Sequence, residues 1–229
     1  MPFAKDWTWV GAFGPDLMLC AATVRVGPFR AAWWAVWDGE RLHERTYRRH
    51  GPVAVAPEQV RVPGVLDLDL EPGAPWAART GPTWTRKRPA RVRGTALGRA
   101  VDLPGLIDES AGRHPRRMAW LWSAGAGALA DGRAVTWNLV DGLHDGAKGS
   151  ERAVWIDGVP EEVPPQRFDG LHGVGDLRFD AVATRARREE LLVVASDYEQ
   201  PFGTFTGSLP LGGALRSGFG VMERHRARW

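Results

Sequence analysis

Short runs of Val, Ile, Leu, Thr and Trp alternate along the chain with breaks containing glycine or proline. The runs lie at 17–26, 29–37, 133–140, 152–156, 190–198 and 217–225. Each has the length of a strand rather than of a helix. Asp-Gly suits the tight turns that join antiparallel strands, and it occurs at 38–39, 131–132, 141–142, 145–146, 157–158 and 169–170. Only 184–192 has a pattern that fits a short helix, and its charges suit an exposed hairpin equally well. The pattern predicts an all-β protein built of antiparallel meanders.

Strand alternation assigns side chains to faces. A tight turn at Asp131-Gly132 pairs 118–130 with 133–143. Trp120, Trp122, Val135, Trp137 and Leu139 then form one bulky apolar face that packs on a core. Ser123, Gly125, Gly127, Thr136 and Asn138 form the other, which meets solvent or lines a cavity. In the final run, Phe219, Val221, Glu223, His225, Ala227 and Trp229 share one face. Met222, Arg224, Arg226 and Arg228 share the opposite, solvated face. Glu223 and His225 therefore point inward among apolar neighbours. A buried carboxylate and imidazole are costly unless paired, so they are either a satisfied structural pair or an acid–base pair in a pocket.

Composition narrows the class. The chain has 229 residues, 44% hydrophobic and 25% charged, which excludes disorder, collagen and disulfide scaffolds. No apolar run approaches the ~20 residues of a membrane helix. One domain, or two tightly joined halves, is expected. All but three of the 30 basic residues are arginine; the lysines are Lys5, Lys87 and Lys148. The 27 acidic residues leave a net charge of +3, which argues against a nucleic-acid partner. Tryptophan supplies 12 residues, suited to wide apolar spaces and to stacking on flat ligands. A single cysteine, Cys20, fits a reducing compartment and reads as an inert core thiol. The first residues lack a basic region followed by an apolar stretch, so a cytoplasmic location is expected. Residues 71–93 carry four prolines, two tryptophans and five arginines. They read as an irregular connection between an N-terminal meander (1–70) and a C-terminal half (94–229), with an arginine-lined anion patch as the alternative.

Several segments resemble a known family. They are Asp108-Glu109-Ser110-Ala111-Gly112-Arg113-His114-Pro115 with Trp120-Leu121-Trp122-Ser123-Ala124-Gly125, Trp137 to Asp145, Ser150-Glu151-Arg152, Tyr198 to Gly203, and Gly220 to His225. Together they resemble the bacterial DUF2804 family, of unknown function. That family is distantly similar to the lipocalin-like superfamily of carotenoid hydratases and tocopherol cyclases. The resemblance implies a calycin-type barrel, in one piece or in two barrel-like halves, that holds a hydrophobic molecule in a barrel mouth, usually without metal or organic cofactor. The superfamily often has Asp-His-x-x-Gly in the central segment; here Glu109-Ser110-Ala111-Gly112 lacks that histidine. Family members are longer at the amino end, so the chain reads as a short form.

Three function classes follow. The first is a binding module, with Trp120, Trp122, Ser123, Asn138, Tyr198 and Phe202 around a small hydrophobic molecule. The second is a hydratase, cyclase or isomerase that works without a cofactor on a terpenoid- or polyketide-like substrate. Glu109, His114, Glu223 and His225 would move protons, and the indole faces would stabilise positive charge. The third is a partner-binding barrel, which exposed tryptophans would favour. Weaker motifs are set aside. His144-Asp145 near Glu151 reads as a surface turn rather than a metal site, because no two histidines have zinc-ligand spacing. The glycine-rich 170–175 lacks the strand-to-helix context of a phosphate loop.

Overall fold

The structure, a computed structural model, describes residues 4–48, 51–190, 195–211 and 213–228. These residues form strands, turns and loops without a helix. The first ten strands are β1 (Ala4–Phe13), β2 (Met18–Val26), β3 (Phe29–Trp37), β4 (Leu42–Arg48), β5 (Ala54–Ala56), β6 (Gln59–Val62), β7 (Leu66–Pro72), β8 (Trp76–Thr80), β9 (Thr83–Ala96) and β10 (Arg99–Arg113). The rest are β11 (Arg117–Leu129), β12 (Ala134–Asp141), β13 (Ala153–Ile156), β14 (Val159–Glu162), β15 (Gly173–Val174), β16 (Leu177–Glu190), β17 (Ala195–Thr206), β18 (Ser208–Leu209) and β19 (Gly213–Arg228).

All pairings are antiparallel, and the strands fall into two sheets in chain order. The first runs β4-β3-β2-β1-β10-β9-β7-β6-β5, with β8 also on β9. The second runs β14-β13-β12-β11-β19-β17-β16-β15, with β18 on β19. The chain passes from one sheet to the other at 114–116. Each sheet curls into a half-barrel, so the expected all-β fold in two barrel-like halves is borne out. Asp-Gly forms the β3–β4, β11–β12 and β13–β14 turns, at 38–39, 131–132 and 157–158.

Alternation explains why several strands read as apolar on both faces. In the first sheet Val10, Leu19, Ala21, Trp34, Val36, Leu68, Val92 and Ile107 fill the half-barrel interior. Their neighbours Trp9, Met18, Cys20, Ala22, Ala35, Trp37 and Leu106 point the other way. There they meet Trp122, Ala124, Ala126, Val140, Trp155, Phe202 and Val221 of the second sheet. The second half-barrel has its own filling, including Leu129, Trp137, Leu139, Phe179, Phe205 and Met222. Strands covered on both sides carry continuous apolar runs. Each fully buried aliphatic or Phe side chain contributes about 1.5–3 kcal/mol.

Polar ties also cross the layer. Trp155 Nε1 donates to the Ala74 carbonyl at 2.8 Å, and Trp76 Nε1 to the Ser150 carbonyl at 2.9 Å. Arg185 pairs with Glu44 at 3.0 Å, and Arg48 with Glu189 at 3.2 Å.

Three expectations need correction. Residues 71–93 are not an irregular connection: they hold the end of β7, all of β8 and most of β9. The arginines of β9 are matched by acids on adjacent strands, Arg86 and Arg88 by Glu109, Arg91 by Asp102, and Arg93 by Asp102 and Glu71. That is a neutralised surface rather than an anion patch. The β11–β12 register is also one residue off the expected one. Leu129 N donates to Arg133 O and Gly132 N to Leu129 O, so Ala128 lies opposite Ala134. A slip of one residue exchanges faces. Trp120 and Trp122 therefore share a face with Asn138 and Val140, while Val135, Trp137 and Leu139 lie on the other with Ser123. Finally, Met222 is not solvated but buried in the second interior. The 184–190 part of the possible helix lies within β16. Residues 191–194 and Trp229, which belong to the expected runs, lie outside the described residues.

Candidate functional site

The half-barrel interiors are filled by their own side chains, so the expected site in a barrel mouth is displaced. The chamber that gathers the polar chemistry lies between the two sheets. One wall is a row across the first sheet. Lys87 on β9 faces Asp108 on β10, which faces Trp9 on β1. Trp9 faces Ala22 on β2, and Ala22 faces Trp33 on β3. Lys5 and Trp7 extend this wall along β1. The opposite wall has two rows. Tyr198 on β17, His225 on β19 and Trp120 on β11 form one; Glu223, Trp122 and Val140 form the next. Leu143 and Glu151 close the chamber from the loop after β12. The cavity is about 80 Å³. That is smaller than the roughly 300–1,000 Å³ of drug-sized sites, so a bulky occupant requires its aromatic walls to move.

Packing fixes these walls before any chemistry. A Cβ at Gly11 would stand 2.2 Å from Trp9 Cη2 and 2.9 Å from Phe13 Cζ, so only glycine lets the Trp9 ring lie there. Trp9 and Trp122 meet edge to face at 5.0 Å. Trp122 Nε1 donates to Asn138 Oδ1 at 2.8 Å, and Asn138 Nδ2 donates to the Glu151 carbonyl at 2.8 Å. Arg152 is wholly buried and donates to the carbonyls of Asp145, Gly146 and Val163. The Ser-Glu-Arg segment thus has a physical division of labour. Arg152 and Ser150 hold the loop, and Glu151 enters the chamber.

The ionisable groups form two sets. In the first, Lys87 is 1% exposed, ion-paired to Asp108, and 3.4 Å from Glu151. Burial pushes the Lys87 ammonium down, but the two carboxyls outweigh it and hold the group protonated. Burial pushes Glu151 up to about 7 against the pull of Lys87. Trp7 Nε1 donates to Asp108 Oδ2 at 3.3 Å.

The second set centres on Glu223. Trp120 Nε1 donates to its Oε1 and Gln200 Nε2 to its Oε2, both at 2.8 Å. Gln200 is oriented in turn by the Cys20 thiol, which donates to its Oε1 at 3.6 Å. Burial raises Glu223 to about 7, although the indole N–H favours the carboxylate. His225 Nδ1 lies 3.9 Å from Glu223 Oε1, and Nε2 is 2.9 Å from Ser196 Oγ. Burial, then the charges of Lys5 and Arg185, drop His225 to about 3, so its ring is neutral. Burial lowers Lys5 to about 7, opposed by Glu223. At neutral pH burial therefore keeps Glu151 and Glu223 partly protonated, against indole and phenol faces.

The residues expected from sequence divide as follows. Glu223, His225, Trp120, Trp122 and Tyr198 line the chamber together. Asn138 stands behind Trp122, and Phe202 is fully buried in the core between the sheets. Ser123 lies on the far face of β11, where Trp137 Nε1 donates to it at 3.1 Å. Glu109 lies on the face of β10 opposite Asp108, bound by Arg86 at 2.8 and 3.0 Å and by Arg88 at 3.1 Å. His114 sits outside the chamber against Trp7 and His144, with ring centroids at 5.1 and 5.8 Å. Sequence reasoning missed Lys5, Lys87, Asp108, Glu151 and Gln200. One signal was present: in a chain with three lysines, two are buried at this chamber.

Cys20 is a core thiol, and burial pushes it up to about 12. Every tryptophan among the described residues is buried or half-buried, so the exposed indoles that would favour a partner-binding barrel are not found there. Among the described residues no group of three or more His, Cys, Asp or Glu is placed to hold a metal ion. No helix among them is long and apolar enough to cross a membrane.

Two solved structures of low identity share the fold, and a third superposes less closely. An AttH-type protein from Nitrosomonas europaea superposes with a TM-score of 0.50 at 14% identity, covering 97% of this chain and 92% of that one. CghA superposes with a TM-score of 0.51 at 11% identity, covering 99% and 88%. Kievitone hydratase from Nectria haematococca gives 0.47 at 10% identity, covering 97% and 88%. No curated protein matches in sequence. The resemblance read from the central and C-terminal segments is borne out by a match over residues 94–229 to a domain of unknown function, and the chain belongs to that family, DUF2804.

Proposed function

We propose that the chamber between the sheets binds a small, largely apolar, unsaturated molecule and passes a proton to and from it through Glu223. One observation carries this reading. Glu223 is buried against indole faces, held by two N–H donors, and raised to about 7. A carboxyl so poised is populated in both forms near neutral pH, as a group that must both give and take a proton requires.

The reaction that fits is addition of an O–H across a C=C bond, or its reverse. The O–H belongs to water in a hydration, or to the substrate's own hydroxyl in a cyclisation. The oxygen forms a bond to one alkene carbon as the π bond opens. Its proton passes to the Glu223 carboxylate, and the other carbon takes a proton from the Glu223 carboxyl. One proton enters and one leaves, so Glu223 returns to its starting state. Trp9, Trp120 and Trp122 give the apolar body its surface. Asp108 and Glu151, clamped by Lys87, set the field of the far wall.

Solvent deuterium tests this. A panel of small apolar alkenes and unsaturated ketones is incubated with the protein in D2O and read by mass spectrometry. A substrate acquires one deuterium on carbon for each C–H bond formed. Glu223→Gln slows this uptake at least about 100-fold while binding persists. Uptake unaffected by that variant removes the assignment of Glu223. An apolar compound that binds, exchanges and returns unlabelled reduces the protein to a binding module.

A further inference from the structure

Two hydrogen-bond donors on opposite walls of the chamber have no acceptor. They are the Trp33 indole Nε1–H on β3 and the Tyr198 phenol O–H on β17, both buried. Their rings lie 6.3 Å apart at 60°. The Arg185 guanidinium lies over both, 5.1 Å from the Trp33 ring and 4.9 Å from the Tyr198 ring. Glu44 at 3.0 Å and Thr46 at 2.8 Å fix that cation. The other indole groups of the chamber are accounted for. Trp7 donates to Asp108, Trp120 to Glu223 and Trp122 to Asn138. Trp9 Nε1 has no oxygen partner but lies against the Cys20 thiol. Among the described indole and phenol groups of the chamber, the donors left without an acceptor are thus those of the Trp33–Tyr198 corner. Burial, with Glu223 adding to it, keeps the Tyr198 proton in place.

Buried donors are ordinarily paired, and an unpaired one is costly. An indole N–H can only donate. The matching group is an oxygen that only accepts. A hydroxyl fits less well, because it brings a donor of its own. A carboxylate fits less well, because it adds a negative charge near Glu223, and the Arg185 cation over the corner is already paired with Glu44. A neutral carbonyl meets both conditions.

We propose that the Trp33–Tyr198 corner binds the carbonyl oxygen of the substrate, which is an α,β-unsaturated ketone or aldehyde with an apolar body. This rests on the proton-transfer reading above and gives it a polarity. Held by two donors, the carbonyl draws electrons from the conjugated C=C. The oxygen of water or of an internal hydroxyl bonds to the β-carbon, and its proton passes to the Glu223 carboxylate. The π electrons move to the carbonyl oxygen as an enolate, held by the N–H and O–H. The enolate electrons then take the proton from the Glu223 carboxyl at the α-carbon, and the carbonyl re-forms. The net change is H and OR added across the double bond.

The test compares cyclohexanone with methylenecyclohexane, which puts CH2 where the ketone has oxygen. Binding is followed by tryptophan fluorescence, and the C=O stretch of bound ketone by infrared difference spectra. The ketone binds at least about tenfold more tightly than the hydrocarbon, in line with one to two net hydrogen bonds. Tyr198→Phe and Trp33→Phe each remove most of that preference and leave methylenecyclohexane unaffected. The carbonyl stretch, lowered in the parent protein, moves back up in Tyr198→Phe. Equal affinity for the two probes, a preference that survives both variants, or no binding of ketone by the folded protein overturns the proposal. Glu223→Gln retains the ketone preference. If the preference is present but that variant still turns over unsaturated ketones at the parent rate, the carbonyl corner stands and the proton-transfer role of Glu223 falls.

Discussion

The half-barrel interiors and the layer between the sheets are built from the same strands yet obey different rules. The first interior is packed with Val, Leu, Ala, Ile and Trp from both edges of its sheet, and the charged side chains on that face of β9 and β10, Glu109 with Arg86 and Arg88, are paired and partly exposed. The layer on the reverse side of the same strands holds Lys5, Lys87, Asp108, Glu151, Glu223 and His225 among its aromatics. A dry interior maximises transfer free energy and packing. Buried charge instead requires mutual pairing, and replacing it with apolar residues is often neutral or stabilising. Its concentration in one layer is what the proposed proton transfer rests on.

Breaking the charged layer has the largest expected effect. Lys87→Met leaves Asp108 and Glu151 facing each other without their cation, and destabilises the protein by roughly 3–5 kcal/mol at pH 7 in urea melts. At pH 5, where Glu151 is protonated more readily, the loss is smaller. Leu68→Ala on the dry side costs a similar amount, about 2–5 kcal/mol, for a different reason: the cavity it leaves. That cost is the same at both pH values. If the Lys87 variant also shows no pH dependence, the two regions do not differ in kind.

The second effect is a titration. Glu223 shifts from its ordinary value near 4.5 to about 7 on folding. The folded state therefore binds more protons than the unfolded state between those values. Its contribution to stability is full below pH 4.5 and is lost as pH rises towards 7. Glu223→Gln cannot ionise. Between pH 5 and pH 8 the stability difference moves in the variant's favour by roughly 3 kcal/mol. His225 titrates with the opposite sign, its stability being lost as pH falls from about 6.5 towards 3. Its effect largely cancels when parent and variant are compared at the same pH. Denaturation curves at the two pH values decide the matter, and parallel behaviour of the two proteins places Glu223 in a wetter setting than the structure does.

Much of this contrast was legible in the chain. The runs at 17–26 and 29–37 read as strands, and they are almost continuously apolar, as strands between a filled interior and a second sheet must be. Glu223 and His225 stood out because charge interrupts the apolar face of the last strand. Other features depend on parity and register. Asp108 and Glu109 are adjacent acids, and the flanking Pro104–Gly112 stretch has too few large apolar residues to say which faces inward. Only pairing to Trp9 and Lys87 settles it. The β11–β12 turn takes in one more residue than Asp131-Gly132 alone, which exchanged the partners of Trp120 and Trp122. The chamber's place between the sheets is a tertiary fact that no local pattern carries. The scarcity of lysine was visible, and its reason is physical. A compact ammonium can be desolvated and paired in a closed chamber, or give up its proton there, whereas guanidinium keeps its charge.

The smallest effect is the sharpest test of parity. Glu109 is adjacent to Asp108 in sequence and lies on the reverse face of β10, where Arg86 and Arg88 hold it. Its side chain is 13% exposed, as is that of Arg88, while Arg86 is 41% exposed, so solvent screens the cluster on the Arg86 side only. Glu109→Gln costs about 1–2 kcal/mol, because the amide oxygen still accepts from the arginines, and leaves deuterium uptake and ketone binding unchanged. Asp108→Asn removes one of the two charges that hold Lys87 in the chamber and reduces both stability and uptake. The two substitutions differ by one position and by the face they occupy. If Glu109→Gln abolished uptake while Asp108→Asn did not, the catalytic face of β10 would be the one turned towards the half-barrel interior, and the chamber between the sheets would lose its claim.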